Sequence, residues 1–211
     1  MKITFKILLV AAIVLLTYVC YRSIMGPIEF KEERETREKA IIARLMDIRK
    51  AQIEYKNIHR QHAGTFAELI TFLKEEKLPF LKKEGVLTDA QLESGMTEAE
   101  AVKEGIIKRD TFFMLAQDTI FGKGYNADSI RFVPGFSKEF KMDTASITNV
   151  ASGYTIKVFE ANVDYDTYLG DLDAQQVANL KDVAEKLTRF EGLRVGSLTE
   201  VNNYAGNWEN E

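Results

Sequence analysis

From Ile7 to Tyr21 the chain carries no charge and is mostly Ile, Leu, Val and Ala, with Lys2 and Lys6 before the run and Arg22 after it. A helix needs roughly 20 apolar residues to cross a bilayer core. Lys6 and Arg22 have stems long enough to snorkel, which extends the usable stretch from about Ile3 to Met25. Tyr18 and Tyr21 fall where an outer interface holds aromatic rings. The pattern predicts a transmembrane signal anchor over residues 1–27, ended by a Gly26-Pro27 break. A cleaved signal peptide is the rival, and a lipoprotein reading would acylate Cys20. Small residues are wanted before a cleavage site, yet Thr17-Tyr18-Val19-Cys20-Tyr21-Arg22 supplies bulky ones. The anchor is therefore expected to stay uncleaved.

The next segment, Glu29 to Lys39, is dense in both charges. Glu33/Arg37, Arg34/Glu38 and Glu35/Lys39 stand four apart, a spacing that stabilises an exposed helix. A solvated stalk is expected here. Apolar residues then recur at Ile41, Leu45, Ile48, Ala51, Tyr55 and Ile58, all on one face of the same helix. Residues 28–62 thus read as a stalk and core helix, closed at Ala63-Gly64 by a left-handed glycine. Thr65-Phe66-Ala67-Glu68 reads as a capping box opening another helix, with Phe66, Leu69, Ile70 and Leu73 inward.

Residues 63–211, continuous with 41–62, are expected to form the folded domain. Leu78 to Leu81 reads as a short extended piece, and residues 82 to 105 as polar, with a second capping box at Thr97-Glu98-Ala99-Glu100 and a stop at Gly105. Ile106 to Ala116 alternates, with Ile107, Arg109, Thr111 and Phe113 on one face and Lys108, Asp110 and Phe112 on the other. Ser129 to Val133, Glu139 to Thr148 and Tyr154 to Asn162 are further strands, separated by Gly/Ser/Asn turns. Asp171 to Phe190 reads as a helix with Leu172, Val177, Leu180, Ala184 and Leu187 on one side. Gly192 ends it, and Leu193-Arg194-Val195 reads as a final strand. The fold class is α+β: an N-terminal transmembrane helix, a long amphipathic stalk helix, then a mainly antiparallel sheet with packed helices.

Charge narrows the function. The chain has 28 Lys+Arg against 32 Asp+Glu, a net charge of −4, which offers no global attraction for nucleic acid. Its single cysteine, Cys20, excludes an intrachain disulfide or a thiolate metal site. His59 and His62 stand three apart near a helix end, but no third ligand is evident, so a polar helix terminus is preferred to a metal site. Asp164, Asp166, Asp171 and Asp173 fail as a calcium loop from either start. From Asp164 the sixth position is Leu169 and the twelfth Gln175; from Asp171 the sixth is Gln176. Asp171 or Asp173 reads better as a helix cap. Phe121-Gly122-Lys123-Gly124-Tyr125 is too short for a phosphate loop and reads as a turn. No catalytic, cofactor-binding or metal residue is assigned, and an enzyme is not expected.

Two likenesses add to this. The apolar helix running into an amphipathic one, residues 48 to 55 (Ile-Arg-Lys-Ala-Gln-Ile-Glu-Tyr), and His62-Ala63-Gly64-Thr65-Phe66 resemble type IV pilins and type II secretion pseudopilins over about the first third of the chain. The stretches Ala43 to Gln52 and Gly192 to Glu200, followed by Asn202-Asn203 and Gly206-Asn207-Trp208-Glu209, resemble a family of uncharacterised, membrane-anchored bacterial envelope proteins. That resemblance implies an inner-membrane, single-pass location with the C-terminal domain in the periplasm, and implies no activity. The expected role is a non-enzymatic structural or scaffold component of a bacterial cell-envelope membrane complex, meeting the lipid bilayer and other envelope proteins, without nucleic acid or cofactor. The alternatives are a membrane-tethered binding module for a small ligand or polysaccharide, and a divergent pseudopilin.

Overall fold

The computed structural model describes residues 2–93, 95–148 and 153–209. Its elements, in chain order, are α1 (Lys2–His59), α2 (Phe66–Glu75), β1 (Lys77–Glu84), α3 (Asp89–Glu93), α4 (Glu98–Lys103), β2 (Lys108–Leu115), α5 (Ala116–Ile120), a 3-10 turn (Ala127–Arg131), β3 (Lys141–Thr148), β4 (Thr155–Asp164), α6 (Tyr165–Leu169), α7 (Ala174–Lys186) and β5 (Gly192–Gly196). The fold is α+β with antiparallel sheets, as the residue pattern predicts. Two compact units emerge: residues 1–49 with 131–211, and residues 50–130.

The first unit is built on α1. Contrary to the expected break, the helix runs through Gly26 and Pro27 without interruption. Pro27 lacks an N–H, so the Ser23 carbonyl loses its helical partner; both residues are exposed. Ile41, Leu45 and Ile48 are fully buried along one face of α1. The sheet has the order β3-β4-β5, all antiparallel. On β4 the alternate residues Phe159, Ala161 and Val163 are buried and fill the core with Leu193 and Val195 of β5. Gly192 and Gly196 bracket β5 because the backbone passes close to β4. A Cβ would lie 2.1 Å from the Val163 carbonyl oxygen at the first and 2.2 Å from that of Phe159 at the second. The C-terminal tail covers the outer edge of β5. The Arg194 N–H donates to Asn207 Oδ1 at 3.0 Å, Asn207 Nδ2 donates to the Gly192 carbonyl at 2.8 Å, and Val195 bridges Gly206. Arg49 then ties that tail to α1 through Glu209 at 2.7 Å and the Tyr204 carbonyl at 3.2 Å. The Gly192–Glu209 signature is thus an edge-protecting strap.

Three readings in this unit are corrected. Ser129 to Val133 is not a strand: the 3-10 turn takes it, capped where the Asp128 N–H meets Asn126 Oδ1, with only a bridge from Phe132 to Glu139. The helix expected from Asp171 starts at Ala174, because Asp173 accepts the Gln176 N–H and caps it. Leu187, assigned inward, is 55% exposed, the residue having left the helix after Lys186. The turn between β3 and β4, where Asn and Ser were read as punctuation, lies outside the described residues.

In the second unit, α2 buries Leu69, Phe72 and Leu73. The last turns of α1 are held by Gln52, whose fully buried amide donates to the Ala63 carbonyl at 2.9 Å and accepts the Ala63 N–H at 3.0 Å. α1 stops at His59 with Arg60 in the left-handed region at φ 62°, so arginine and not Gly64 makes the turn. Thr65 caps α2 by accepting the Glu68 N–H, but Glu68 reaches back to the Gly64 N–H, one residue earlier than a capping box requires. At α4 the Thr97/Glu100 box is complete. Ile58, assigned to the apolar stripe, is 43% exposed. β1 and β2 form a two-stranded ribbon in which Pro79 sits opposite Phe113; every strand of such a ribbon is an edge, where proline is tolerated. Phe112 and Phe113 are both exposed, on opposite faces. The side chains of Arg109 and Asp110, which the alternation also placed, lie outside the description.

Candidate functional site: the anchor and the face that follows it

The residues of α1 from Ile3 onward that make the apolar run are exposed all round the helix; Val14 stands 63% open and Leu15 62%. One described helix is long and apolar enough to cross a membrane, and none of its most apolar part is buried. Leaving a Val or Leu side chain in water forfeits about 1.5–3 kcal/mol each, so a surface of this kind calls for an apolar solvent. Thr17 satisfies its hydroxyl within the helix, donating to the Ile13 carbonyl at 2.9 Å.

Beyond the run, Arg22, Gly26, Glu29, Glu33 and Arg37, with Phe30 beside Glu29, share one helix face. Phe30 is buried, and the segment expected to be a free stalk is instead fastened to α6 and its following loop. Arg37 holds both carboxylate oxygens of Asp171, at 2.5 and 2.9 Å, the Tyr168 carbonyl at 2.7 Å and Glu33 at 2.7 Å. Such a two-pronged pair is stronger and more directional than a single contact. One turn away, Arg34 meets Glu38 at 2.8 Å, and the fully buried Tyr168 donates its hydroxyl to the same Glu38 oxygen at 3.0 Å. Glu35 pairs with Lys31 at 3.7 Å in place of the expected Lys39. Burial and then the Glu38 charge push the Tyr168 hydroxyl far above the ordinary tyrosine range. The hydrogen bond from Arg37 holds Asp171 below the usual carboxylate range.

Between this helix face and the start of α7 lies an open groove of about 710 Å³, with Arg22 at its anchor end and Glu29 and Asp173 along its walls. Neither Arg22 nor Glu29 forms an ion pair with a described residue. Residue patterns alone did not single out this face. Its signal was the step from Arg22 through Gly26 to Glu29 and Phe30, directly continuing an apolar run.

The residues weighed for metal chemistry part company. His59 Nε2 meets Glu76 at 2.8 Å and its ring lies 4.3 Å from that of Tyr55, whereas His62 is buried. Asp164 pairs with Lys141, Asp166 with Lys181 and Asp171 with Arg37, while Asp173 caps α7. Among the described residues no three His, Cys, Asp or Glu gather as metal ligands. Gly122 and Gly124 both adopt positive φ, and Phe121 stacks on Tyr125 at 4.0 Å, which makes that segment a turn. No family model, curated protein or solved structure matches the chain.

Proposed function

We propose that the protein is a single-pass membrane protein in which residues 3–25 of α1 span a bilayer and hold the α+β part at its surface, as a non-enzymatic scaffold of a bacterial envelope assembly. The observation that carries this reading is the charge-free, wholly exposed first part of α1, continuous with turns that are clamped by Arg34, Arg37 and Tyr168. A tether of that kind fixes a domain near a surface and raises the effective concentration of its contacts. Lys2 and Lys6 ahead of the anchor draw the N-terminus to the cytoplasm, while Arg22, Lys31, Arg34, Arg37 and Lys39 after it weaken that bias; the short N-tail before a hydrophobic segment, the design of a signal anchor, supports a periplasmic domain.

The test has two arms. Alkaline carbonate extraction of membranes should leave the chain in the pellet with its N-terminal peptide, and added protease should reach the domain only from the periplasmic side. Pull-down with full-length protein should recover envelope proteins that a chain of residues 29–211 recovers at least tenfold less well. A second reading, assembly into a pilus-like filament, is supported by the unbroken course of α1 through Pro27. Against it, Gly26 and Glu29 follow the apolar run, where a prepilin has its glycine before that run and its glutamate near the start. Filament fractions that contain the chain would decide for it.

A further inference from the structure

We infer that the groove beside Arg22 holds the headgroup of a zwitterionic phospholipid bearing a primary ammonium, with its phosphate on Arg22 and its ammonium between Glu29 and Asp173. The inference rests on the anchoring proposed above and adds a ligand to it. Arg22 is the first charge after the apolar run, so it stands at the level where acyl chains give way to headgroups. At 1.5 Å per residue, Gly26 lies about 6 Å and Glu29 about 10 Å further out. The polar layer of one leaflet is roughly 5–7 Å deep. The cation therefore sits at phosphate depth and the carboxylates just outside it, the same order in which the lipid carries its opposite charges.

Room and chemistry agree with that order. The groove measures about 710 Å³ and opens to the side. A Cβ built on Gly26 meets nothing within 4 Å, so the glycine leaves a void that a headgroup can enter. Phe30, buried beside it, gives an apolar wall. Asp173 uses Oδ1 to cap α7, and a carboxylate has further lone pairs to offer a donor. A primary ammonium brings three N–H donors, a quaternary one none. An anionic glycerol headgroup would meet the two carboxylates without a compensating cation.

The experiment reconstitutes full-length protein in bilayers of equal parts phosphatidylethanolamine, phosphatidylcholine and phosphatidylglycerol, extracts it gently and weighs the complexes by native mass spectrometry. The expected result is one retained lipid, enriched at least fivefold for phosphatidylethanolamine over either competitor. Glu29→Gln should bring the ethanolamine-to-choline ratio close to one, and Gly26→Leu should remove the retained lipid without lowering Tm. Both variants should still resist alkaline extraction. A wild-type chain that keeps the three lipids equally, or a Gly26→Leu chain that keeps phosphatidylethanolamine as before, overturns the site. Release of the wild-type chain into the alkaline supernatant overturns the anchor itself, and the site with it.

Discussion

Both parts of α1 carry rows of large apolar side chains and yet these meet opposite fates. Ile7, Leu8, Val14 and Leu15 are open on every side, while Ile41, Leu45 and Ile48 have no exposed surface at all. What separates them is the charge pattern. In the first part no charge interrupts the run, so there is no polar face to turn toward water. In the second, Arg44, Asp47, Arg49 and Lys50 occupy the remaining faces and leave a stripe that a protein core can cover. Large apolar side chains alone therefore do not say whether a helix face is covered by its own domain; their density and the angular distribution of charge around them do.

The sharpest way to break the contrast is to exchange the penalties. Ile48→Asp places an unpaired carboxylate in the core, and should lower stability by about 3–5 kcal/mol, enough to unfold the first unit. The exposed control Lys50→Asp should change it by under about 1 kcal/mol. Chemical denaturation of both in detergent reads this, and equal midpoints would refute the face assignment. Val14→Arg should do the reverse. It costs about 3 kcal/mol of insertion at the bilayer centre, shifting chain from the alkali-resistant pellet to the supernatant while near-UV circular dichroism of the domain stays as it was.

Smaller effects sharpen the clamp that joins the two solvents. Tyr168→Phe removes a buried hydroxyl bonded to Glu38 and should cost about 1–2 kcal/mol. The hydroxyl's pKa is raised in the folded protein, so its stabilisation is complete below the ordinary tyrosine value of about 10 and is lost as pH rises above it. Wild-type Tm should therefore fall more steeply than that of Tyr168→Phe between pH 9.5 and 11.5. The smallest change is expected at Asp171. Its pKa is lowered by Arg37, so its contribution is present above the ordinary aspartate value of about 4 and fades as pH falls below it. Because the Asp171 side chain is 58% exposed, Asp171→Asn should cost under about 1 kcal/mol at pH 7, and the Tm gap to wild type should narrow as pH falls below about 4.

Much of this architecture can be read along the chain where the signal is local. The apolar stripe at Ile41, Leu45 and Ile48, the Thr97 box and the three strands that end at Thr148, Asp164 and Gly196 all depend on neighbours within a turn or a strand. The clamp does not. Glu33/Arg37 and Arg34/Glu38 look the same on a bare stalk as on a packed one, and what distinguishes them is Tyr168 and Asp171, more than a hundred residues away. The 3-10 turn at Ala127–Arg131 was misread for a related reason: Ile130, Phe132 and Val133 have the composition of a strand, but the Asn126 side chain starts a turn there first. The groove at Arg22 is illegible along the chain because Leu172, Asp173 and Gln176, which face α1 across it, lie more than a hundred residues away.

A helix that runs from the apolar run into the clamp without a joint also transmits angle. Each residue turns the chain by about 100° and advances it by about 1.5 Å, and the chain from Arg22 to Arg37 is helical throughout, Pro27 included. With the apolar run spanning a bilayer as proposed, the compass bearing of the β3-β4-β5 sheet around the membrane normal is written into the number of residues between those two arginines. Inserting a single alanine after Ile28 would swing the sheet about a quarter of a turn while lifting it hardly at all, and a neighbour in the same bilayer would meet a different side of it.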